Sequence, residues 1–252
     1  MKKNNALTKF IVVYFSEVCW VIIDNIQFTA VVNGLRIDDK DVRRKIEDEL
    51  LDFTFSIYNP PRLPAGMPQI PYSMTGQTKA GHSRLQILEQ NFQLFTSFDE
   101  NFNNDRQKCF DYAYGKIDAI VKLIKGLSVK NLYFGIALQY IIENEPKAID
   151  LINQGSVKIL NNSESFFNFS KNFSVVYKDR YYINFGLSTL SHRNSSDKLI
   201  GITVDINNRY GIEIKNELEK DEDIAVIKKM QSDISEDFLY KLLRKGELDF
   251  HE

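Results

Sequence analysis

Short apolar runs open the chain at 9–15 and 18–32, built from Val, Ile, Phe and Trp and interrupted at Ser16-Glu17 and Asp24-Asn25. Runs of this length and composition predict buried strands joined by tight turns. The spacing then changes. Val42, Ile46, Leu50 and Phe53 recur every three or four residues behind Asp38 and Asp39, which predicts a capped helix over 40–52. Residues 84–98 predict a hairpin, with Leu85, Ile87, Phe92 and Leu94 around Gln90-Asn91. Phe110, Ala113, Ile117, Ile120, Val121 and Ile124 form one stripe of a long helix over 104–125, with Gly126 as the C′ residue. Phe134, Ile136, Leu138, Tyr140 and Ile142 then alternate, which places them on one face of a strand over 131–142.

The second half follows a similar plan. Strands are predicted at 156–160, 166–170, 173–177, 181–187, 199–206 and 209–215, with turns at Lys178-Asp179, Asn194–Asp197 and Asn207-Asn208. A closing helix over 222–245 carries Ile227, Met230, Ile234, Phe238 and Leu242, with Gly246 after it. Gln90–Phe95 reads like Lys171–Val176, consistent with a duplicated strand–strand–helix unit. Successive hairpins with segregated helices predict an α+β fold: antiparallel sheets with a long helix in each half. The halves divide as 1–150 and 151–252, and can pack as one domain.

Between the first helix and the hairpin lies a break in composition. Five of the six prolines (Pro60, Pro61, Pro64, Pro68 and Pro71) fall close together, and small or polar residues follow as far as Ser83. Proline fixes φ and lacks a donor N–H, so 59–83 is expected to be neither helix nor central strand.

Composition narrows the chemistry. The 252 residues carry a net charge of −2, which gives no global attraction to nucleic acid or an anionic membrane. There are 18 Phe, 12 Tyr and one Trp, against three His and two Cys. Two cysteines at 19 and 109 match no metal-ligand spacing, and read as free thiols in a cytoplasmic protein. Met1-Lys2-Lys3 before an apolar run imitates a signal peptide, but no cleavage site follows it. Lys9, Glu17 and Asp24 interrupt every membrane-length window.

Several motifs offer chemistry. In ITVDINNRYGIEIK, Asp205 ends one predicted strand and Glu213 and Lys215 share a face of the next. Restriction-type nucleases hold Mg²⁺ with such carboxylates and steady the attacking water with such a lysine. A solvated hairpin edge satisfies the same pattern. Gly76–Ser83 has the GxxxxG spacing of a phosphate loop, but His82 stands where the lysine belongs and no helix follows. His192 lies in a polar turn without a nucleophile elbow, and the acids from Glu213 to Asp223 read as a solvated helix approach. The strongest cluster is aromatic: Phe166, Phe167, Phe169, Phe173, Tyr177, Tyr181, Tyr182 and Phe185. Alternation splits these between two sheet faces, so one group needs cover from the chain itself or from a partner.

Three segments carry a resemblance: Gly135–Ile141 to the pattern G-[IL]-x-[LR]-x-Y-I, Ile202–Ile206 to a late LDxD-like strand, and Met230–Leu243 to an amphipathic closing helix. With Ala137 and Thr203 as departures, the order over 84–245 resembles a sporadically distributed family of bacterial proteins of similar length. That resemblance implies an α+β fold in two related halves and an accessory role of the defence or toxin–antitoxin kind. It transfers no catalytic residues.

The function expected from the sequence is therefore a non-enzymatic module needing no cofactor. It would bind a protein partner, or a second copy of itself, through Phe166, Phe169, Tyr177, Tyr181 and Tyr182 and the 59–83 loop. The alternatives are a Mg²⁺-dependent nuclease using Asp205, Glu213 and Lys215, and a holdase-like chaperone. Membrane association is not expected, nor is binding to nucleic acid.

Overall fold

The alternating segments of both halves join one sheet. The computed structural model describes residues 20–61, 64, 66–67, 70–103, 105–143, 170–191, 198–245 and 248. Its strands are β1 (Trp20–Asn33), β2 (Phe53–Tyr58), β3 (Ser73–Thr78), β4 (Ser83–Leu88), β5 (Asn91–Ser97), β6 (Lys130–Glu143), β7 (Ser170–Tyr177), β8 (Tyr181–Ser191) and β9 (Lys198–Asn207). They form a single nine-stranded antiparallel sheet in the order β2-β3-β4-β5-β1-β6-β9-β8-β7.

This corrects the expected α+β plan of two related halves with a long helix in each. One helix is long, α2 (Arg106–Gly126). The expected closing helix is two short ones, α3 (Asp223–Asp233) and α4 (Glu236–Lys245). Ser235 Oγ accepts the Phe238 N–H at the start of α4, and Arg106 donates to the carbonyls of Gln231, Ser232 and Ile234 at the end of α3. These contacts supply partners for backbone groups that the break takes out of helical pairing. The matching hexapeptides also diverge. Gln90–Phe95 enters an interior strand, whereas Lys171–Val176 lies in β7 at the sheet edge. Their likeness reflects strand composition rather than equivalent positions.

Other boundaries move for local reasons. The first helix, α1 (Lys40–Glu49), stops at Leu50, and Phe53 starts β2 instead of extending the helical stripe. Asp24-Asn25 is a bulge inside β1, not a turn: the register against β6 shifts between Ile23 and Asn25. The extra residue lets Ile23 and Ile26 both point into the core. Within 59–83, only the first part is irregular; β3 lies between β2 and β4. Residues 209–215 are not a strand, since Tyr210–Ile214 form a π-helical turn closed by the Lys215 N–H on the Tyr210 carbonyl at 3.2 Å. The strands expected at 9–15 and 156–160, and Phe166, Phe167, Phe169, Cys19 and His192, lie outside the described residues.

Paired residues in an antiparallel ladder share a face, so the registers can be read straight across the sheet. One row runs Leu85, Leu94, Phe28, Ile136, Ile206, Ile183, Val175 from β4 to β7. All but Val175 are buried. The stripe of α2 packs here through Cys109, Phe110, Ala113, Ile117 and Ile120, with Ile227 of α3 and Leu239 of α4. Burial of this continuous apolar layer is the main source of stability.

Candidate functional site: the open face of the sheet

The neighbouring row points the other way. It reads Gln77, Arg84, Phe95, Gln27, Ala137, Asp205, Asn184, Ser174, and the next reads Thr75, Gln86, Gln93, Thr29, Gly135, Asn207, Tyr182, Val176. Amides and hydroxyls dominate where the opposite face has aliphatics. Gln27, Gln77, Arg84, Gln93, Phe95 and Ser174 are exposed. At the middle stand the small residues Gly135 and Ala137 on β6 and Gly186 on β8; Gly135 is buried beside Asn207 and Asp205. A Cβ on Gly135 would come within 3.1 Å of Asn207 Cβ, a close approach that a larger residue could make only by shifting Asn207.

Two hydrogen-bonded chains order the polar side chains. In the first, Asn25 Nδ2 donates to Gln139 Oε1 at 2.6 Å and to Asp24 Oδ2 at 2.8 Å, while Gln27 Nε2 donates to Asn25 Oδ1 at 3.1 Å. In the second, Asn184 Nδ2 and Asn207 Nδ2 donate to Asp205 Oδ2 at 2.7 and 2.9 Å, and Ser174 Oγ donates to Asn184 Oδ1 at 2.7 Å. Burial raises the Asp205 carboxyl above its usual range, and the two amide donors only partly oppose that rise. These chains fix side-chain orientation across β1, β6, β9, β8 and β7, giving a pre-organised array of donors and acceptors.

The residues of the expected nuclease site have separate partners. Asp205 is held by the two asparagines. Glu213 lies in the π turn and pairs with Arg209, and Lys215 pairs with Asp179 at 2.6 Å. The shared strand face assumed for Glu213 and Lys215 does not exist, because the chain coils there. Among the described residues, no group of three or more His, Cys, Asp or Glu side chains could hold a metal ion. Gly76–Ser83 is part of a hairpin. Gly81 takes φ +79 in its turn, His82 lies 4.9 Å from the Phe102 ring, and Ser83 is buried against Thr96 Oγ1 at 2.9 Å.

The described aromatics of the predicted cluster fall mainly on the helix side. Tyr181 is buried, so it cannot meet a partner as expected. Tyr177 is partly buried against the same core, and Phe173 stacks on Phe185, which in turn meets Phe238 of α4. Tyr182 alone of the described members points to the open face, edge-on to Tyr210 at 5.2 Å. Phe166 and Phe169 lie outside the described residues.

One polar centre was not legible in the chain. Arg180 Nε donates to Asp223 Oδ1 at 2.6 Å and its Nη2 to Oδ2. Tyr181 Oη, Asn208 Nδ2 and the Lys220 N–H also donate to this carboxylate, at 2.9, 2.9 and 3.1 Å. Arg180 further pairs with Glu217. Burial would push the Asp223 carboxyl up, but Arg180 and the other donors outweigh it and hold it below the ordinary range. Arg180 itself is raised, chiefly by its bond to Asp223. Asn208 also accepts the Phe134 N–H at 2.8 Å, so the cluster ties β6, the β7–β8 turn, the π turn and the start of α3 together. Asp223 is thus a buried counter-ion rather than a member of a solvated acidic approach. Its partner lies 43 residues away, with no spacing rule to link them.

At the β2 end of the molecule, Pro60, Pro61, Ile70, Pro71, Tyr72 and Glu89 help to line a surface cleft of about 470 Å³. None of the helices among the described residues is long and apolar enough to cross a membrane. Comparison with protein-family models and with curated proteins finds no match.

Proposed function

We propose that this chain acts by binding a protein partner on the open face of its sheet, without catalysing a reaction. The observation that carries this reading is the division of the sheet. Helices and a continuous apolar core occupy one face, while the other displays ordered Gln, Asn, Thr and Ser side chains around small residues. Such a surface offers hydrogen bonds with little side-chain ordering left to lose, which is what favours affinity in a polar interface. Phe95, exposed beside Gln27 and Arg84, supplies an apolar anchor within it. The accessory role in bacterial defence or toxin control follows from the family resemblance alone.

The test is photo-crosslinking in the native host. A crosslinking residue at Gln93, on the open face, should give one discrete protein adduct that the same residue at Lys122, on exposed α2, does not. The adduct protein, once purified, should bind the wild-type chain and lose at least tenfold in affinity against Phe95→Ala. Equal labelling from both positions, or binding insensitive to Phe95→Ala, contradicts the proposal.

A further inference from the structure

Among the described residues, β2 and β7 end the sheet, and the two differ. β7 carries Lys171 and runs into the charged turn Lys178-Asp179. β2 is Phe53-Thr54-Phe55-Ser56-Ile57-Tyr58, with no charge, no proline, no glycine and an unbroken register against β3. Terminal strands present unpaired N–H and C=O groups, and proteins blunt them with charges, prolines or bulges. β2 has none of these within it. Nine large apolar side chains are exposed among the described residues, and five of them (Leu51, Ile57, Tyr58, Met67 and Ile70) lie on this strand or the segments at its ends.

We propose that β2 pairs antiparallel with β2 of a second copy of this chain, joining two nine-stranded sheets edge to edge. This rests on a surface different from the open face and goes beyond the function proposed above. The sequence of β2 is self-complementary about Phe55. With Phe55 opposite Phe55, Phe53 meets Ile57 and Thr54 meets Ser56, so apolar side chains pair on the helix side and hydroxyls on the open side. A register one residue away would set Phe55 against Ser56 and mismatch both faces. Asp52, at the start of the strand, is paired with Lys116 and would lie opposite Tyr58, so no like charges oppose the approach. A two-fold axis perpendicular to the sheet then places the helices of both copies on the same side. A six-residue ladder with these apolar borders is at the small end of specific interfaces, so the association is weak and concentration-dependent.

Sedimentation velocity on the full chain from roughly 1 to roughly 100 µM tests this, the range in which such an interface should assemble. The wild type should rise to twice the monomer mass. Thr54→Lys with Ser56→Lys, both exposed positions, should remain monomeric with an unchanged circular dichroism spectrum. Ser170→Lys on the opposite edge, exposed and outside the hydrogen-bonded array, should associate like the wild type. The pair Thr54→Cys and Ser56→Cys should give a covalent dimer on oxidation that neither single change gives, which decides the matter even if the lysine variant fails to fold. A wild type that stays monomeric throughout overturns the proposal. So does a folded lysine variant that still dimerises, or a dimer abolished by Ser170→Lys.

Discussion

Gln27 and Phe28 are neighbours on β1, yet they belong to different environments. Phe28 is buried under the helices, and Gln27 lies exposed among amides. The same contrast repeats across the sheet, Leu94 against Gln93 and Ile136 against Ala137. An antiparallel sheet can have one solvated face, and then its strands alternate apolar with polar. What is less usual here is the content of the solvated face. It is built mainly from amides and hydroxyls, tied to one another and to the carboxylates of Asp24 and Asp205, more than from the lysines and glutamates that keep a surface merely soluble. Two separate hydrogen-bonded chains hold it in place, around the buried Asn25 and Asn207, while the outer side chains Gln27, Gln93 and Ser174 stay exposed at a cost in side-chain entropy. That difference is the physical reason for assigning stability to one face and recognition to the other.

The largest expected effect lies at the buried ion pair that secures the helix side. Asp223→Ala leaves Arg180 with Glu217 as its one acidic partner and three other donors without their acceptor, and should cost about 3–5 kcal/mol, as when one member of a buried ion pair is removed. Urea denaturation at neutral pH measures it. The sign with pH is fixed too. Because the folded carboxyl titrates below the unfolded value of about 3.9, its stabilisation is complete above that value and disappears as pH falls through the folded one. The wild type should therefore converge on Asp223→Ala in acid.

Next comes the direct comparison of faces. Phe28→Ala should lose about 3–5 kcal/mol, as for other buried phenylalanines, while Gln27→Ala should change stability by no more than about 0.5 kcal/mol. Two similar losses would mean that the open face is part of a second core.

Much of this architecture was legible in the chain, and the exceptions are instructive. The alternation Phe134–Ile142, the stripe of α2 and the β4–β5 hairpin each carry their structure in local spacing, and all are found. Tyr-Gly-Ile-Glu-Ile-Lys alternates as a strand should, but forms a π turn in which Gly211 lies close against the Arg180 side chain, a contact from far along the chain that the local pattern does not carry. The single sheet was hidden for a different reason. Whether β6 pairs with β1 or starts a new sheet depends on contacts between segments far apart in the chain, such as Trp20 with Glu143, which no window can read. At the candidate site, Asp205 drew notice as a carboxylate. The asparagines that hold it, Asn184 and Asn207, carry no spacing signal and become visible only once the registers of β8 and β9 are known.

Asp205 sharpens the comparison in the opposite sense to Asp223. Its folded carboxyl is raised, so ionising it opposes folding, and its contribution is lost as pH rises through the folded value. Asp205→Asn keeps an acceptor for the two asparagines. It should be neutral to stabilising at pH 7, by up to about 1 kcal/mol, with no gain at pH values below the ordinary aspartate range. Urea midpoints at several pH values check this; destabilisation at pH 7 would mean that the charge itself is needed there.

The smallest effect concerns Cys109, whose thiol is buried under the helix side and pushed up to about 12 by that burial. In a Cys19→Ser background it should stay unreactive to a thiol reagent until the chain unfolds.

Maleimide labelling of single cysteines placed at Gln27 and at Gln93, in a Cys19→Ser background, tests the division of the sheet most directly. In the isolated chain both positions should label at close to the rate of an unfolded thiol, while Cys109 stays protected in the same molecules. Protection at Gln27 and Gln93 as strong as that at Cys109 would show that the amide face is covered, and would contradict its assignment as the binding surface.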